Sequence, residues 1–445
     1  MASTLTPTVS IVVATIDRLE AVELCLDRLQ ALLDVAIEAI VVIGPGGDAV
    51  AERLAQRSDI AALIRNPDRN LSKSRNMALS VARGEFVAFI DDDAYPTEWW
   101  LEDLLGEFED DEVLAVGGTV YDYTGYTYQM RYGRCNNAGD ATPVNASPLI
   151  GLSECPSAQT FTYATGGNFI ARTQGLLDLG GFDEQFDYYL EEADLCRRIL
   201  NAGYIVRVLD AGQIFHKFLP SAIRSSARVA LDRRSILINR AYFAARHQLP
   251  DEGSDITIAA FERFAKRAVH ELEAAARAGI ATEHHVAKVR QDANDARFML
   301  GAWISDPPAM RPSTLDSGIA AQFDSSSVLH RSSDSISHVA IMSDHAVTSQ
   351  DPEHALALNL LSQGHIVRII EPSHGHSTVD VEDGVWRHRI SPRLQPQGLA
   401  ASAVFELERI SAEQRVIDLA YVPRGMDESV AMVLGDSVLA MEPLS

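Results

Sequence analysis

The chain is short of positive charge, of cysteine and of long apolar runs, and each shortage removes a class of function. Lys and Arg number 38 against 62 Asp and Glu in 445 residues, a formal net charge of -24. Such a surface repels a polyanion, and no basic stripe is long enough to override it, so nucleic acid is excluded as a partner. The four cysteines, Cys25, Cys135, Cys155 and Cys196, stand far apart with no C-x-x-C pair. That spacing argues against a disulfide framework or a zinc knot, and each cysteine reads as a small apolar residue. No apolar run approaches a membrane span. The opening Met1-Ala2-Ser3-Thr4-Leu5-Thr6-Pro7 lacks the positive and apolar regions of a secretory signal. The expected location is the cytoplasm. No internal repeat is visible.

What is present is enough for a large interior: 47% of residues are hydrophobic and 22% charged, and the length implies two or three domains. Apolar runs at Val9 to Val13, Ala39 to Ile43, Ala61 to Ile64 and Phe86 to Ile90 alternate with amphipathic stretches at Glu20 to Leu33, Ala49 to Arg57 and Ser72 to Ala82. This is the pattern of βαβ units, and it predicts a parallel, doubly wound α/β sheet. In such sheets ligands bind beyond the carboxyl ends of the strands. After His247 the periodicity predicts a helix over 254–278 stopped by Gly279, and a second over 282–300 capped by Thr282 and ended by Gly301. Pro, Ser and Asp dominate between Pro307 and Ser337, a composition that reads as a linker. Strand, helix and strand follow at His338 to Met342, His354 to Ser362 and Gly364 to Ile370, which suggests a small Rossmann-like unit.

Three clusters carry chemistry. Asp91-Asp92-Asp93 directly follows a buried strand, where like charges repel unless a cation is shared among them. A magnesium or manganese ion resolves that conflict and suits a diphosphate ligand; an ordinary solvated loop or helix N-cap is the alternative. Glu191-Glu192 opens a helix, where acids complement the dipole without any function, although a carboxylate facing a cavity there serves as a general base. His216 follows an apolar run, and a lone histidine there is more often structural than a ligand.

In order and spacing, the first 247 residues resemble the family-2 glycosyltransferases of GT-A fold. The resemblance rests on Val9-Ser10-Ile11-Val12-Val13-Ala14-Thr15-Ile16-Asp17-Arg18, Asn70-Leu71-Ser72-Lys73-Ser74-Arg75-Asn76, Ala82-Arg83-Gly84-Glu85, the aspartate triplet with Pro96, Thr165-Gly166-Gly167-Asn168, Gly180-Gly181-Phe182-Asp183-Glu184, the glutamate pair and His216. It implies an enzyme that moves a sugar from a nucleoside-diphosphate sugar to a glycan or a lipid-linked saccharide, with Mn2+ or Mg2+ as cofactor. By that likeness Asp91 and Asp93 form the D-x-D motif, with His216 as a further metal ligand. Thr15, Asp17, Arg75, Asp91 and Asp92 line the donor side, and Gly166, Gly167, Asn168 and Glu191 the acceptor side. Glu192 takes the general base's position, where the family commonly has Asp. A second departure is Ile43-Gly44-Pro45-Gly46-Gly47-Asp48, which lacks the aspartate that commonly holds the base of the nucleotide. One matched carboxylate and no second nucleophile imply inversion at the sugar.

Residues 337–445 resemble the start of a family-4, GT-B glycosyltransferase through Asp351-Pro352-Glu353-His354-Ala355-Leu356-Ala357, Gly364-His365-Ile366-Val367 and Asp383-Gly384-Val385-Trp386-Arg387-His388-Arg389-Ile390. The expected organisation is a GT-A catalytic domain over 1–250, a helical extension over 251–306, a flexible linker over 307–337 and a truncated GT-B-like half over 338–445. Two rivals stand beside this reading. A nucleotidyltransferase of similar fold would carry a glycine-rich phosphate loop after the first strand, and Ala14-Thr15-Ile16-Asp17 has no glycine. An inactive scaffold would have no reason to keep mutually repelling acids. Arg224, Arg228, Arg233, Arg234 and Arg240, interleaved with apolar residues, read either as a helix packed under the catalytic domain or as a peripheral contact with anionic lipid at the inner face of a membrane.

Overall fold

The computed structural model describes residues 6–144, 159–310, 315, 327–343, 345–373, 376–391, 403, 406, 407, 409, 410, 417–422 and 438–440. Cys155 and, within the expected linker, residues 311–314 and 316–326 lie outside the described residues. Two compact units are present: one combines Met1–Val120 with Gln129–His330, the other Tyr121–Tyr128 with Arg331–Ser445.

The first unit begins with β1 (Val9–Thr15), α1 (Leu19–Leu29), β2 (Ile37–Ile43), α2 (Asp48–Leu54), β3 (Ile60–Arg65), α3 (Leu71–Leu79) and β4 (Phe86–Asp91). β1 pairs parallel with both β2 and β4, and β2 with β3. Seven strands form the sheet, in the order Ile205–Val208, Val113–Gly117, Asn168–Arg172, β4, β1, β2, β3. Only Asn168–Arg172 runs antiparallel to its neighbours. The apolar runs are continuous because the sheet is covered on both faces. Val9, Ile11, Val13, Val41 and Ile90 pack in one core cluster, whereas Val12, Ile40, Val42, Val87 and Phe89 pack in another. Side chains alternate across a strand, so these are the sheet's two faces. α3 starts where Asn70 caps it, its side chain accepting from the Lys73 amide at 2.8 Å. The register sets Ala14 beside Asp91, so β1 and β4 end together.

Helix Glu191–Asn201 docks on this unit through a buried charge. Asp194 is fully buried and accepts from Arg198 Nε at 2.7 Å, with His247 Nε2 at 2.8 Å from its other oxygen. Burial alone would raise this carboxyl, but Arg198 and His247 overrule it and hold it well below the usual carboxylate range. A depressed native pKa adds stability above the unfolded value that disappears as pH falls through the native one. Removing one partner of a buried pair costs about 3–5 kcal/mol, so Asp194→Asn is expected to lose about that much in urea unfolding at pH 7. The gap to the wild type should narrow in acid; an unchanged midpoint at pH 7 would contradict this account.

Helices Arg234–His247, Leu249–Arg277 and Glu283–Ser305 share a core of Leu237, Ala241, Phe261, Ala265, Leu272, Val289, Ala293 and Leu300. Gly279 stands at φ 74° just past the second helix, and Thr282 caps the third. The third continues through Gly301 to Ser305 rather than ending there. A helical glycine costs about 1 kcal/mol, and packing of Trp303 and Ile304 against the same core offsets it. The arginines of this region are occupied: Arg233 meets Glu271, Arg234 meets Asp292 and Asp295, and Arg240 meets Asp140. Of the five arginines of the expected helix, Arg234 and Arg240 lie in Arg234–His247, whereas Arg224, Arg228 and Arg233 precede it in irregular chain. No helix among the described residues is long and apolar enough to cross a membrane.

In the second unit, His338–Met342, Ile366–Pro372, Val385–Ile390, Leu419–Val422 and Val438–Ala440 pair in parallel, and Thr378–Glu382 closes one edge antiparallel to Val385–Ile390. Helix Pro352–Ser362 links the first two strands in the usual strand-helix-strand manner. The described cysteines, Cys25, Cys135 and Cys196, are free and buried. Burial pushes the Cys196 thiol up to about 12, which makes it inert.

Candidate active site

The aspartate triplet straddles the end of β4, and the chain then forms a short strand, Ala94–Pro96. That strand pairs antiparallel with Ile214–His216, and the register sets His216 against Ala94. His216 is thereby delivered to Asp93, with Nε2 3.3 Å from Asp93 Oδ1 and 3.7 Å from Asp91 Oδ2. One ligand atom from each of Asp91, Asp93 and His216 lies within 4.8 Å of the others. Asp92 turns away: it accepts from Thr15 Oγ1 at 2.6 Å and from Arg18 at 2.9 Å. Asp92 and Asp93 stand in the turn between β4 and Ala94–Pro96, and Arg18 bridges their carboxylates, 2.9 Å from Asp92 Oδ1 and 3.1 Å from Asp93 Oδ2.

Electrostatics follow from that division. Burial pushes the Asp92 carboxyl up to about 7, helped by Asp93 and Asp91 and opposed by Arg18 and Thr15. Burial also works to raise Asp93, but His216, Arg18 and the Leu219 amide, which donates at 2.7 Å, keep it well below the carboxylate range. Burial resists charge on His216; Asp93 and Asp91 outweigh it and raise its pKa. Two carboxylate oxygens and one imidazole nitrogen make a donor set that fits a hard divalent ion such as Mn2+ or Mg2+.

These groups open onto a cavity of about 390 Å³ lined by Thr15, Asp17, Arg18, the triplet and His216, and by Gly44, Pro45, Asn70, Asp187 and Tyr188. Its size suits a small-molecule ligand. Arg224 also lines it, its guanidinium 3.5 Å over the Phe218 ring and 3.0 Å from the Tyr188 hydroxyl.

Of the residues expected from sequence, Thr15, Asp17, Asp91, Asp92, Asp93 and His216 line this cavity, whereas Arg75, Gly166, Gly167, Asn168, Glu191 and Glu192 do not. Arg75 is buried and donates to Glu191 Oε1 at 2.9 Å and to the Gly166 carbonyl at 3.0 Å, with Asp91 3.9 Å away. Asn168 accepts from Trp100 Nε1 and donates to the carbonyls of Thr119 and Gly212. Glu192 is half-buried, and its Oε2 is shielded without a hydrogen-bond partner. Burial, then the neighbouring Glu191 charge, raise its carboxyl well above the usual range against the pull of Arg75. The turn ahead of the pair places Tyr189 and Leu190 at φ 78° and 71°, a conformation that side chains resist. Asn239 holds it by donating to the Tyr188 carbonyl at 2.7 Å and to Asp187 at 3.0 Å.

The two glycines back the cluster closely. A Cβ on Gly167 would sit 2.6 Å from Asp91 Oδ2, and one on Gly166 2.7 Å from the Arg75 guanidinium. Overpacking of this kind costs about 1–3 kcal/mol. Gly167→Ala is therefore expected to displace the Asp91 carboxylate and to lower turnover about ten- to a hundredfold, as measured by steady-state kinetics. Wild-type kinetics would show that Asp91 has room to spare.

Arg18 carried no expected role although it neutralises two of the aspartates, Arg224 was expected only in a basic amphipathic stretch, and Gln129, Asp187 and Tyr188 gave no signal in the sequence. Their contribution exists only once distant segments meet.

Residues 10–172 match the family model described as Glycosyl transferase family 2. Among curated proteins, the pre-mycofactocin glycosyltransferase of Mycobacterium tuberculosis is 28% identical over 183 residues, 40% of this chain and 37% of that protein. The chondroitin synthase of Pasteurella multocida is 25% identical over 235 residues, 46% of this chain and 24% of that protein. Among solved structures, a mannosyltransferase from Pyrobaculum calidifontis in complex with GDP-Man and Mn2+ aligns with 69% of this chain and 89% of its own at 16% identity and a TM-score of 0.40. The matched part of the chain spans little more than a third of the first of these curated relatives.

Proposed function

We propose that the chain, whose residues 10–172 match the glycosyltransferase family 2 model, transfers a sugar from a nucleoside-diphosphate sugar to a hydroxyl of a saccharide or lipid-linked saccharide, with inversion at the anomeric carbon. The observation that carries this reading is the convergence of Asp91, Asp93 and His216 on one cavity at the carboxyl ends of β1 and β4. A divalent ion held by those three residues would neutralise the departing diphosphate.

The chain's own residues do the rest. Thr15, Asp17, Arg18 and Asp92 shape the nucleotide side, with Arg18 and Thr15 fixing the Asp92 carboxylate. Arg75 ties the Asp91 side to Glu191 and so couples donor and acceptor faces. Glu192 takes the acceptor hydroxyl's proton as that oxygen attacks the sugar from the face opposite the diphosphate. A raised carboxyl pKa suits this role, since a general base works best when its pKa nears the operating pH. In this reading the chemistry is complete within residues 1–250, and the helices of 251–306, the linker of 307–337 and the unit of 338–445 take no part in it. NMR of the product tests the stereochemistry: the anomeric configuration should be opposite to the donor's, and retention would overturn the single displacement.

A further inference from the structure

The ring of His216 has two nitrogens, and only one of them faces the aspartates. Nε2 points at Asp93 and Asp91, while Nδ1 lies 2.9 Å from Gln129 Oε1. The imidazole is buried, with 8% of the residue exposed, so both nitrogens depend on the protein for their partners. Gln129 is half-buried and offers its carbonyl oxygen, an acceptor, to Nδ1. This contact requires a proton on Nδ1.

The alternative tautomer has a strong incentive of its own. A neutral imidazole that carries its proton on Nε2 would donate it to Asp93 Oδ1, 3.3 Å away, and satisfy a buried carboxylate. In that form no lone pair faces Asp91 and Asp93, and the three residues cannot act together on a cation. We infer that Gln129 is a positioning residue for the Asp91, Asp93 and His216 cluster, holding the His216 proton on Nδ1 so that Nε2 presents its lone pair toward a divalent ion. The inference rests on the metal-dependent reading above and adds to it a residue outside the cavity lining. Partners of this kind behind a ligating histidine typically change metal affinity ~10–100-fold.

The test is Mn2+ binding to the full chain, followed by the EPR signal of free Mn2+, for the wild type, Asp93→Asn, Gln129→Leu, Gln129→Met and Gln129→Glu. Leu and Met remove the acceptor, and Met keeps the length of the side chain should Leu disturb folding. Glu restores an acceptor for Nδ1. The expected result is binding by the wild type, loss in Asp93→Asn, about 10–100-fold weaker binding in Leu and Met, and recovery in Glu. Thermal midpoints in excess EDTA should be alike for wild type and the Gln129 variants, which separates positioning from a purely structural role. Wild-type affinity in both Leu and Met overturns the role of Gln129 while leaving the metal site in place. No binding by the wild type, or equal binding by Asp93→Asn, overturns the metal reading and this inference with it.

Discussion

Asp93→Asn is expected to lower turnover by about a thousandfold or more while the protein stays folded. The carboxylate faces His216 on one side and Arg18 and the Leu219 amide on the other, and it is 2% exposed. Asn keeps the shape and an oxygen for the Leu219 amide. Arg18 keeps Asp92 as its ion partner, at 2.9 Å, so the local packing survives. What is lost is an anionic ligand in the cluster, and a metal's contribution to stabilising a leaving group is several kcal/mol, with each 1.36 kcal/mol worth a factor of ten. Steady-state turnover and thermal unfolding of the same preparation check it. A folded mutant that turns over normally in excess EDTA would remove Asp93 and the ion from the mechanism.

The second large effect is at Glu192. Glu192→Gln preserves size but cannot accept a proton, and general-base contributions are typically ~10²–10⁴-fold, so turnover should fall by about that much. Donor affinity should survive, since the cavity's donor-side groups lie on other residues. The pH profile carries a second signature. The base must be ionised, and its carboxyl is raised well above the ordinary value of about 4.3. Activity should therefore be lost on acidification at a pH well above that of an unperturbed glutamate. Normal turnover in Glu192→Gln, or an acid limb at the ordinary carboxylate value, would reject Glu192 and turn attention to Asp187, a carboxylate that does line the cavity.

Strands were legible in the sequence because burial on both faces writes itself as short runs of Val and Ile, as in Ile11 to Val13 of β1 and Ile40 to Ile43 of β2. The Asp91 to Asp93 triplet was legible for a related reason, since charge directly after such a strand is costly without a partner. Helix ends were less so: Gly301 reads as a stop, and only the packing of Trp303 and Ile304 carries the helix past it. His216 was found through resemblance to a family, because its approach to Asp93 depends on the pairing of two short strands from distant parts of the chain. Arg18 and Gln129 escaped altogether. Neither has a periodicity that marks it, and each acquires meaning through its contacts, Arg18 with Asp92 and Asp93 and Gln129 with His216. The sequence also could not reveal that Asp92 is held by Thr15 and Arg18 rather than by His216, or that Arg75 hydrogen-bonds Glu191 rather than Glu192.

The most direct test of metal-dependent sugar transfer is a panel of nucleotide sugars incubated with the full chain and mixed saccharide acceptors, with release of nucleoside diphosphate followed in Mn2+, in Mg2+ and in EDTA. The account predicts release from at least one donor that stops in EDTA, returns when the ion is restored and is absent in Asp93→Asn. Release that is indifferent to EDTA, or equal in the mutant, would contradict it.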